Sequence, residues 1–285
     1  MKIVDVIMAG MSRAGTTFMY HNLQKHPQIY LPSRKEIGFF AHNYDKGFKW
    51  YEDFFLDRKP NETTLDICGV YFTHEDALER MKDFDIDTKI ILSVRDPYQW
   101  IYTFYQQYAN NFEMPSFKEF ITKGCSIERE GEILDIDYRN EKISKTISSY
   151  LDAFKGRIMI YDFTYFEKEP LKVLMAFEEF LCVDSYFNEK NFNNKKINAS
   201  GRQRSAWFDK LLQKKGVVDL ILKIFPRSLI LQLREKRELK EAKDIKKIAI
   251  NEKFSLEEQK LVKEIFLKDH QYYSNLFKDE PIKRL

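Results

Sequence analysis

Residues 3–17 read IVDVIMAGMSRAGTT, an apolar run that passes into a loop with two glycines and then into two threonines. The apolar run predicts a buried strand, because a strand of a parallel sheet is covered on both faces. Gly10 and Gly15 have the spacing of the phosphate-binding loop G-x-x-x-x-G-K-[S/T], but Thr16 stands where that loop has lysine. A strand, a glycine-rich turn and a helix direct backbone N–H groups and the positive end of a helix dipole to one point. The segment therefore predicts an anion site.

The missing lysine changes what this loop can bind. In kinases the lysine steadies the β- and γ-phosphates beside magnesium, so its absence argues against ATP and against a need for metal. Arg13 supplies a cation inside the loop instead, and Thr16 and Thr17 add hydroxyl donors at the start of the helix. By itself the segment is as compatible with an ordinary strand-turn-helix corner as with an anion site.

A second apolar run ends in a charged motif of its own. Residues 89–94 read KIILSV, and Arg95, Asp96 and Pro97 follow, with Thr103 eight residues after the arginine. Because proline is favoured at the start of a helix, Thr103 falls two turns along a helix that begins at Pro97. Arg95 and Thr103 can then converge on one phosphate at the carboxyl end of the strand.

With these two elements the chain resembles the sulfotransferases that use 3′-phosphoadenosine 5′-phosphosulfate (PAPS). Their phosphosulfate loop commonly reads [K/R]-x-G-T-[T/R], and their second element is R-[D/N]-P with serine or threonine eight residues after the arginine. The resemblance implies that Arg95 and Thr103 bind the 3′-phosphate of PAPS and that no metal is required. It also implies that the 5′ side of the cofactor is bound by the residues of the first loop, namely Arg13, Ala14, Gly15, Thr16 and Thr17.

A third block resembles the heparan sulfate type of these enzymes and their bacterial relatives. It comprises residues 36–40, EIGFF, and the aromatic residues between 43 and 55. In those enzymes the glutamate of this block is the general base, which implies that Glu36 removes the proton of the acceptor. The neighbouring Lys35 either keeps Glu36 ionised or contacts the sulfonate, and a solvated charge pair is the alternative. The aromatic residues recur at helical spacing, which core packing explains better than sugar stacking.

The chain departs from the family pattern at the next strand. Enzymes of the heparan type often carry a Glu-Lys pair there, whereas this chain has Asp66 and Ile67. The role of that lysine is then missing or is taken by Lys35, by Arg13 or by an arginine near the C-terminus. Small-molecule sulfotransferases use a histidine base in this region, for which His74 is the nearest candidate, although a histidine at the start of a helix is usually a cap or surface residue.

Two segments of the C-terminal third leave alternatives open. Residues 193–204 are polar and basic, and they resemble the family segment that closes over the nucleotide. We predict that Arg202 and Arg204 add contacts to the 3′-phosphate, with a solvated loop as the alternative. Residues 217–247 mix apolar and basic side chains, a pattern that allows contact with a membrane surface but favours an amphipathic helix on the core of the domain.

Composition and patterning together predict the fold class. With 285 residues, 44% of them hydrophobic, the chain fits a single P-loop-like α/β domain with a central parallel sheet flanked by helices, plus C-terminal helices. We expect this domain to cover residues 1–285, with a core of about 1–200 and a basic loop and helical extension of about 201–285. Strands are predicted at 2–9, 64–68, 89–94 and 157–161, and helices at about 15–25, 75–84, 97–110, 140–154 and 170–181.

Charge and cysteine content limit the partners and the compartment. The net charge of +3 is mild and does not indicate a nucleic-acid binder. The first strand begins at residue 2 and no run reaches the length of a membrane span, so the pattern predicts neither a signal peptide nor a transmembrane segment. The isolated cysteines Cys68, Cys125 and Cys182 are typical of a reducing cytosol. We therefore expect a cytoplasmic enzyme of bacterial type.

The resemblance implies a sulfotransferase that moves a sulfuryl group from PAPS to a hydroxyl or an amine by in-line attack, with a saccharide as the expected acceptor. A protein tyrosine, a lipid and a small molecule are alternative acceptors. A P-loop nucleotide kinase and a non-catalytic nucleotide-binding protein are alternatives of another class, and Thr16 in the lysine position counts against the kinase.

Overall fold

The computed structural model describes residues 3–129, 132–192 and 254–285. The strands of this part of the chain are β1 Val6–Gly10, β2 Ile29–Tyr30, β3 Thr63–Ile67, β4 Lys89–Val94, β5 Cys125–Arg129, β6 Glu132–Ile136, β7 Ile158–Asp162 and β8 Ile282–Arg284. Six of them form one sheet in the order β2-β3-β1-β4-β7-β8. The first five strands in this order run parallel, and β8 joins β7 in the antiparallel direction. β5 and β6 pair separately as an antiparallel hairpin.

Helices flank the sheet and connect its parallel strands. They are α1 Thr16–Leu23, α2 Gly47–Glu52, α3 Ala77–Phe84, α4 Pro97–Ala109, α5 Phe117–Lys123, α6 Lys142–Ala153, α7 Phe163–Lys168, α8 Pro170–Leu181, α9 Leu256–Ile265 and α10 Leu267–Leu276. Short 3₁₀ turns occur at Tyr44–Lys46, Asp53–Phe55 and Gly69–Phe72. None of the described helices combines the length and the apolar character needed to span a bilayer.

Strand β1 lies in the middle of the sheet and fixes the position of the glycine-rich loop. All five of its residues are buried, as expected for a parallel strand covered on both faces. Val6 lies opposite Leu65 of β3 and opposite Lys89 of β4. The loop after β1 and the segments after β3 and β4 therefore emerge at the same edge of the sheet, where ligands of such sheets bind.

The predicted fold class is confirmed. The aromatic segment before β3 packs in the core, as its helical spacing predicted: Tyr51 and Phe55 are fully buried, and Trp50 and Phe54 pack against the core. The sequence did not predict β2, the β5–β6 hairpin or β8. The domain bounds stay a prediction, and residues 193–253, with the proposed membrane-contact segment 217–247, lie outside the described part of the chain.

Candidate active site

The loop between β1 and α1 is held by backbone and side-chain contacts from two neighbouring elements. The N–H of Met11 donates to the carbonyl of Ser93 at 2.7 Å, and the Ser93 hydroxyl donates to the carbonyl of Ala14 at 2.7 Å. The indole N–H of Trp100 donates to the carbonyl of Ser12 at 2.9 Å. Two of these contacts use carbonyl groups of the loop and the third uses the N–H of Met11, so they fix the shape of the loop without occupying the N–H groups of the first turn of α1.

Gly15 is the residue at which the loop turns into α1. Its φ of 82° lies in the left-handed region, which favours glycine. A Cβ atom at this position would lie 2.6 Å from the ring of Phe166 and 3.2 Å from the ring of Phe163. Both the backbone conformation and the close packing therefore require glycine here, and Thr16 and Thr17 follow it as the first residues of the helix.

Arg13 and Arg95 meet at this loop. A terminal nitrogen of Arg95, Nη1, donates to the carbonyl of Arg13 at 3.0 Å, and the Arg95 guanidinium lies 4.8 Å above the ring of Phe163. Burial lowers the pKa of Arg13, and burial together with the nearby Arg13 lowers the pKa of Arg95 to about 10. The Nε atoms of both arginines are buried and have no hydrogen-bond partner among the described residues. Two desolvated cations with unused donors form a site suited to an anion with several oxygen atoms.

Lys35 and Glu36 connect this loop to the end of β3. The Lys35 ammonium pairs with Oε1 of Glu36 and also donates to the Thr16 hydroxyl at 3.2 Å. The other carboxylate oxygen of Glu36 accepts a hydrogen bond from the N–H of Gly69 at 2.8 Å, and the Glu36 N–H donates to the carbonyl of Ile67 at 3.2 Å. The carboxylate predicted to be the base is thus linked to the anion loop through the Lys35 ammonium.

A buried carboxylate supports the segment that carries Glu36. Oδ2 of Asp66 accepts hydrogen bonds from the hydroxyls of Tyr51 at 2.9 Å and Tyr71 at 2.7 Å. The Tyr71 oxygen in turn accepts from the N–H of Phe39 at 3.0 Å. Asp66 is only 1% exposed, so it serves as a structural anchor and is out of reach of an acceptor.

The position where heparan-type enzymes often carry lysine holds Ile67 here, a buried apolar residue that provides no cation. Among the substitutes that lie in the described part of the chain, Lys35 is the one with contacts to both Glu36 and Thr16. His74, the alternative base, has its ring against His42 at 5.2 Å and accepts from the N–H of Asp76 at 3.3 Å.

Thr103 lies on α4 as predicted, but its side chain is only 1% exposed. Its hydroxyl donates to the carbonyl of Trp100 at 2.8 Å, within the same helix. The contact of Thr103 with a 3′-phosphate therefore stays a prediction. Arg202 and Arg204 lie outside the described residues, and their contacts stay predictions as well.

Sequence reasoning missed the residues that hold the cations in place. Ser93 and Trp100 fix the loop, and Phe163 carries the Arg95 guanidinium on its ring. Trp100 lies five residues after Arg95, so its position in the second motif was the one available signal. The contact with Phe163 joins distant segments and has no local pattern.

The fold and this site are suited to an anionic ligand at the carboxyl edge of a parallel sheet. The chain belongs to the sulfotransferase family: the model of the sulfotransferase domain matches residues 4–213. This match includes every residue of the site described above.

The curated relatives include enzymes of the heparan sulfate type, as the third block predicted. Human heparan sulfate glucosamine 3-O-sulfotransferase 3B1 is 25% identical over 196 residues, which are 67% of this chain and 49% of that protein. The mouse bifunctional heparan sulfate N-deacetylase/N-sulfotransferase 4 is 29% identical over 202 residues, which are 64% of this chain and 22% of the relative. The chain thus spans about half or less of the length of these relatives.

Two solved structures share the fold. A sulfotransferase from Alicyclobacillus acidocaldarius has 18% sequence identity and a TM-score of 0.52, and covers 68% of this chain and 86% of its own. Mouse sulfotransferase SULT7A1, solved in complex with PAP, has 15% identity and a TM-score of 0.51, and covers 94% of this chain and 85% of its own.

Proposed function

We propose that this chain is a PAPS-dependent sulfotransferase that acts on a hydroxyl or amine of a saccharide. The observation that carries the proposal is the Lys35–Glu36 pair, whose lysine also contacts the Thr16 hydroxyl of the anion loop. This contact joins a carboxylate able to accept a proton to a site able to hold a transferable anion. Group transfer to a nucleophile requires both parts within a few ångströms of each other.

The residues of the loop fit the donor. Arg13, Gly15, Thr16 and Thr17 would hold its 5′ phosphosulfate, and Arg95 would hold its 3′-phosphate. The unused Nε donors of Arg13 and Arg95 support this assignment, because a buried guanidinium without a full set of partners is stabilised by an oxyanion. When bound, PAPS supplies the sulfuryl group: the acceptor atom bonds to sulfur as the bond from sulfur to the 5′-phosphate oxygen breaks, and 3′-phosphoadenosine 5′-phosphate (PAP) leaves.

Glu36 would accept the proton that the acceptor loses. Gly69 and Lys35 hold its two carboxylate oxygens, so the side chain is oriented before an acceptor arrives. Lys35 would serve the opposite side of the reaction. Its ammonium lies beside Thr16, where negative charge grows on the loop side, and a preorganised cation there stabilises that charge.

The expected acceptor is a saccharide, because the relatives named above are heparan sulfate enzymes by name. Those names cover both O- and N-sulfation, so the proposal includes hydroxyl and amine acceptors. A protein tyrosine, a lipid or a small phenol remains an outcome of the experiment.

The test compares the wild type with Glu36→Gln in transfer of radioactive sulfate from labelled PAPS to a panel of acceptors. The panel contains heparosan, its N-deacetylated form, a tyrosine peptide and a small phenol. Glu36→Gln should abolish transfer and leave the Kd of PAP nearly unchanged, because the amide keeps the shape of the side chain but cannot accept a proton. Glu52→Gln is the matched control, since Glu52 pairs with Lys49 on the surface of α2. Transfer at the wild-type rate by Glu36→Gln would show that Glu36 is not the base.

Ligand binding separates the proposal from the other class of function. PAP should raise the melting temperature of the wild type, since a ligand that binds only the native state stabilises it. Stabilisation by ATP with magnesium and not by PAP would favour a kinase. Binding of PAP without transfer to any acceptor would favour a non-catalytic nucleotide-binding protein.

A further inference from the structure

Helix α10 contacts two carboxylates at the edge of the sheet where the anion site lies. Nδ1 of His270 donates to Oδ1 of Asp96 at 3.0 Å, and the Tyr273 hydroxyl donates to Oδ1 of Asp162 at 2.6 Å. His270 and Tyr273 are three residues apart and so lie on one face of the helix. α10 lies beyond residue 213, where the family match ends, so these contacts come from a part of the chain that the family model does not include.

The two carboxylates occupy equivalent places in the fold. Asp96 is the N-cap of α4 and accepts from the N–H of Tyr98 at 2.9 Å. Asp162 is the N-cap of α7 and accepts from the N–H of Thr164 at 2.8 Å. They follow β4 and end β7, which are neighbouring parallel strands. Helix α10 therefore bridges the starts of two helices that leave the same edge of the sheet.

Arg95 lies between these two caps. It directly precedes Asp96, and its guanidinium rests on the ring of Phe163, which directly follows Asp162. Asp96 and Tyr273 both contribute to the electrostatic environment of the guanidinium. A displacement of either cap would therefore move Arg95 or the ring on which it rests.

The charges at this edge show why the caps need partners. Asp96 and Glu167 are anionic neighbours of Arg95, and a carboxylate that turns toward an arginine competes with an anionic ligand. The hydrogen bonds from α10 reach Oδ1 of each cap, the same atom that accepts from an N–H of the helix start, and so add a second restraint on each carboxylate. The ring of Tyr98 stacks on His270 at 4.1 Å and fixes the imidazole against Asp96. Arg95 Nε meanwhile has no partner among the described residues.

We propose that His270 and Tyr273 are positioning residues of the donor site: they fix Asp96 next to Arg95 and Asp162 next to Phe163, and so keep the Arg95 guanidinium available to the 3′-phosphate of a nucleotide. This inference rests on the proposed function. It extends that function by making the C-terminal helix part of the recognition of the 3′-phosphate.

The experiment measures the Kd values of PAP and of adenosine 5′-monophosphate (AMP) on the full chain by calorimetry. Tyr273→Phe and His270→Ala should each weaken PAP binding by about fivefold or more, the equivalent of one lost hydrogen bond. The Kd of AMP should stay within about twofold, because AMP has no 3′-phosphate. His270→Asn should restore much of the PAP affinity, since its amide can donate to Asp96. Gln271→Ala, an exposed position of the same helix, is the control.

The ratio of the two Kd values distinguishes positioning from general damage. If the ratio in Tyr273→Phe and His270→Ala matches that of the wild type, because both ligands lose affinity equally or neither does, the inference is wrong. If the wild type itself binds PAP no better than AMP, the proposed recognition of the 3′-phosphate fails, and the proposed function with it. Tyr273→Phe removes a single oxygen, so its melting temperature shows whether folding contributes to the result.

Discussion

The hydroxyl of Tyr71 lies 2.7 Å from Oδ2 of Asp66 and connects that buried carboxylate to the segment that carries Glu36. Burial raises the pKa of Asp66 from 3.8 to about 6, against the opposing effect of hydrogen bonds from Tyr71 and Tyr51. Glu36 raises this pKa further and Lys35 lowers it, so the anchor and the candidate catalytic pair influence each other electrostatically.

Asp66→Asn should change how stability depends on pH. Between about pH 4 and 6 the native protein keeps a proton on Asp66 that the unfolded chain has lost, so this group makes the wild type less stable as pH rises through that window. At neutral pH the difference amounts to about 3 kcal/mol. Relative to wild type, Asp66→Asn should therefore gain up to that amount between pH 3.5 and 7, measured by urea unfolding. If the difference in free energy of unfolding between Asp66→Asn and the wild type stays constant with pH, the prediction is wrong.

Tyr51→Phe provides the matched variant for the same titration. It removes a hydrogen bond that favours the ionised form of Asp66, so the pKa of Asp66 in the native protein should rise and the upper end of the pH window should move upward. An unchanged window would show that Tyr51 does not control the ionisation of Asp66.

Gly15→Ala should destabilise the protein more than Gly156→Ala. Both glycines have positive φ, at 82° and 87°, which disfavours alanine at either position. A methyl group at position 15 would also lie 2.6 Å from the Phe166 ring, whereas one at position 156 meets nothing within 4 Å. The additional loss should be about 1–3 kcal/mol in the free energy of unfolding, the usual cost of overpacking. Equal losses would mean that the Phe166 ring moves aside freely.

Lys35→Met should lower kcat by about 10²-fold with a smaller effect on the KM of PAPS, because it removes a cation directed at charge that develops during transfer. Methionine keeps much of the length of the side chain. Lys49→Met serves as the control, since Lys49 is an exposed lysine on α2 that pairs with Glu52. The measurement is kcat at saturating PAPS. Equal kcat values for Lys35→Met and Lys49→Met would contradict the role proposed for Lys35.

Trp100→Phe should weaken donor binding through the loop. It removes the indole N–H that donates to Ser12, at a cost of about 1 kcal/mol in the free energy of unfolding, and it loosens the residue that precedes Arg13. The KM of PAPS should rise several-fold while kcat changes less. Trp50→Phe is the control for loss of a tryptophan outside the loop, because the Trp50 ring packs against Phe54 in the aromatic segment. A KM equal to that of the wild type in Trp100→Phe would contradict the role assigned to this hydrogen bond.

The strands that the sequence predicted are those with their own apolar pattern. β4 and α8 have the predicted bounds, and β1, β3 and β7 differ from them by a few residues at their ends. β2 has two residues, and β8 is a short segment with a basic residue at its centre, so neither carries a pattern that could identify it. Both exist because a neighbouring strand offers unpaired backbone groups.

The same distinction applies to the site. Arg13, Gly15 and Thr16 were predicted as site residues because one local motif contains them, and Glu36 because a resemblance pointed to it; their roles stay predictions. The contact between His270 and Asp96 joins residues 174 positions apart, and no local pattern encodes it. The burial of Thr103 depends likewise on how α4 packs.

Arg13 and Glu36 share an unusual backbone, with φ values of 65° and 60°. For side chains with a Cβ this conformation costs on the order of 1 kcal/mol, and such residues tend to occur at functional sites. The proposed catalytic roles and the stability of the fold therefore favour different residues at these two positions. A library screened only for resistance to unfolding should enrich glycine or asparagine at positions 13 and 36, whereas the same library screened for turnover should keep arginine and glutamate.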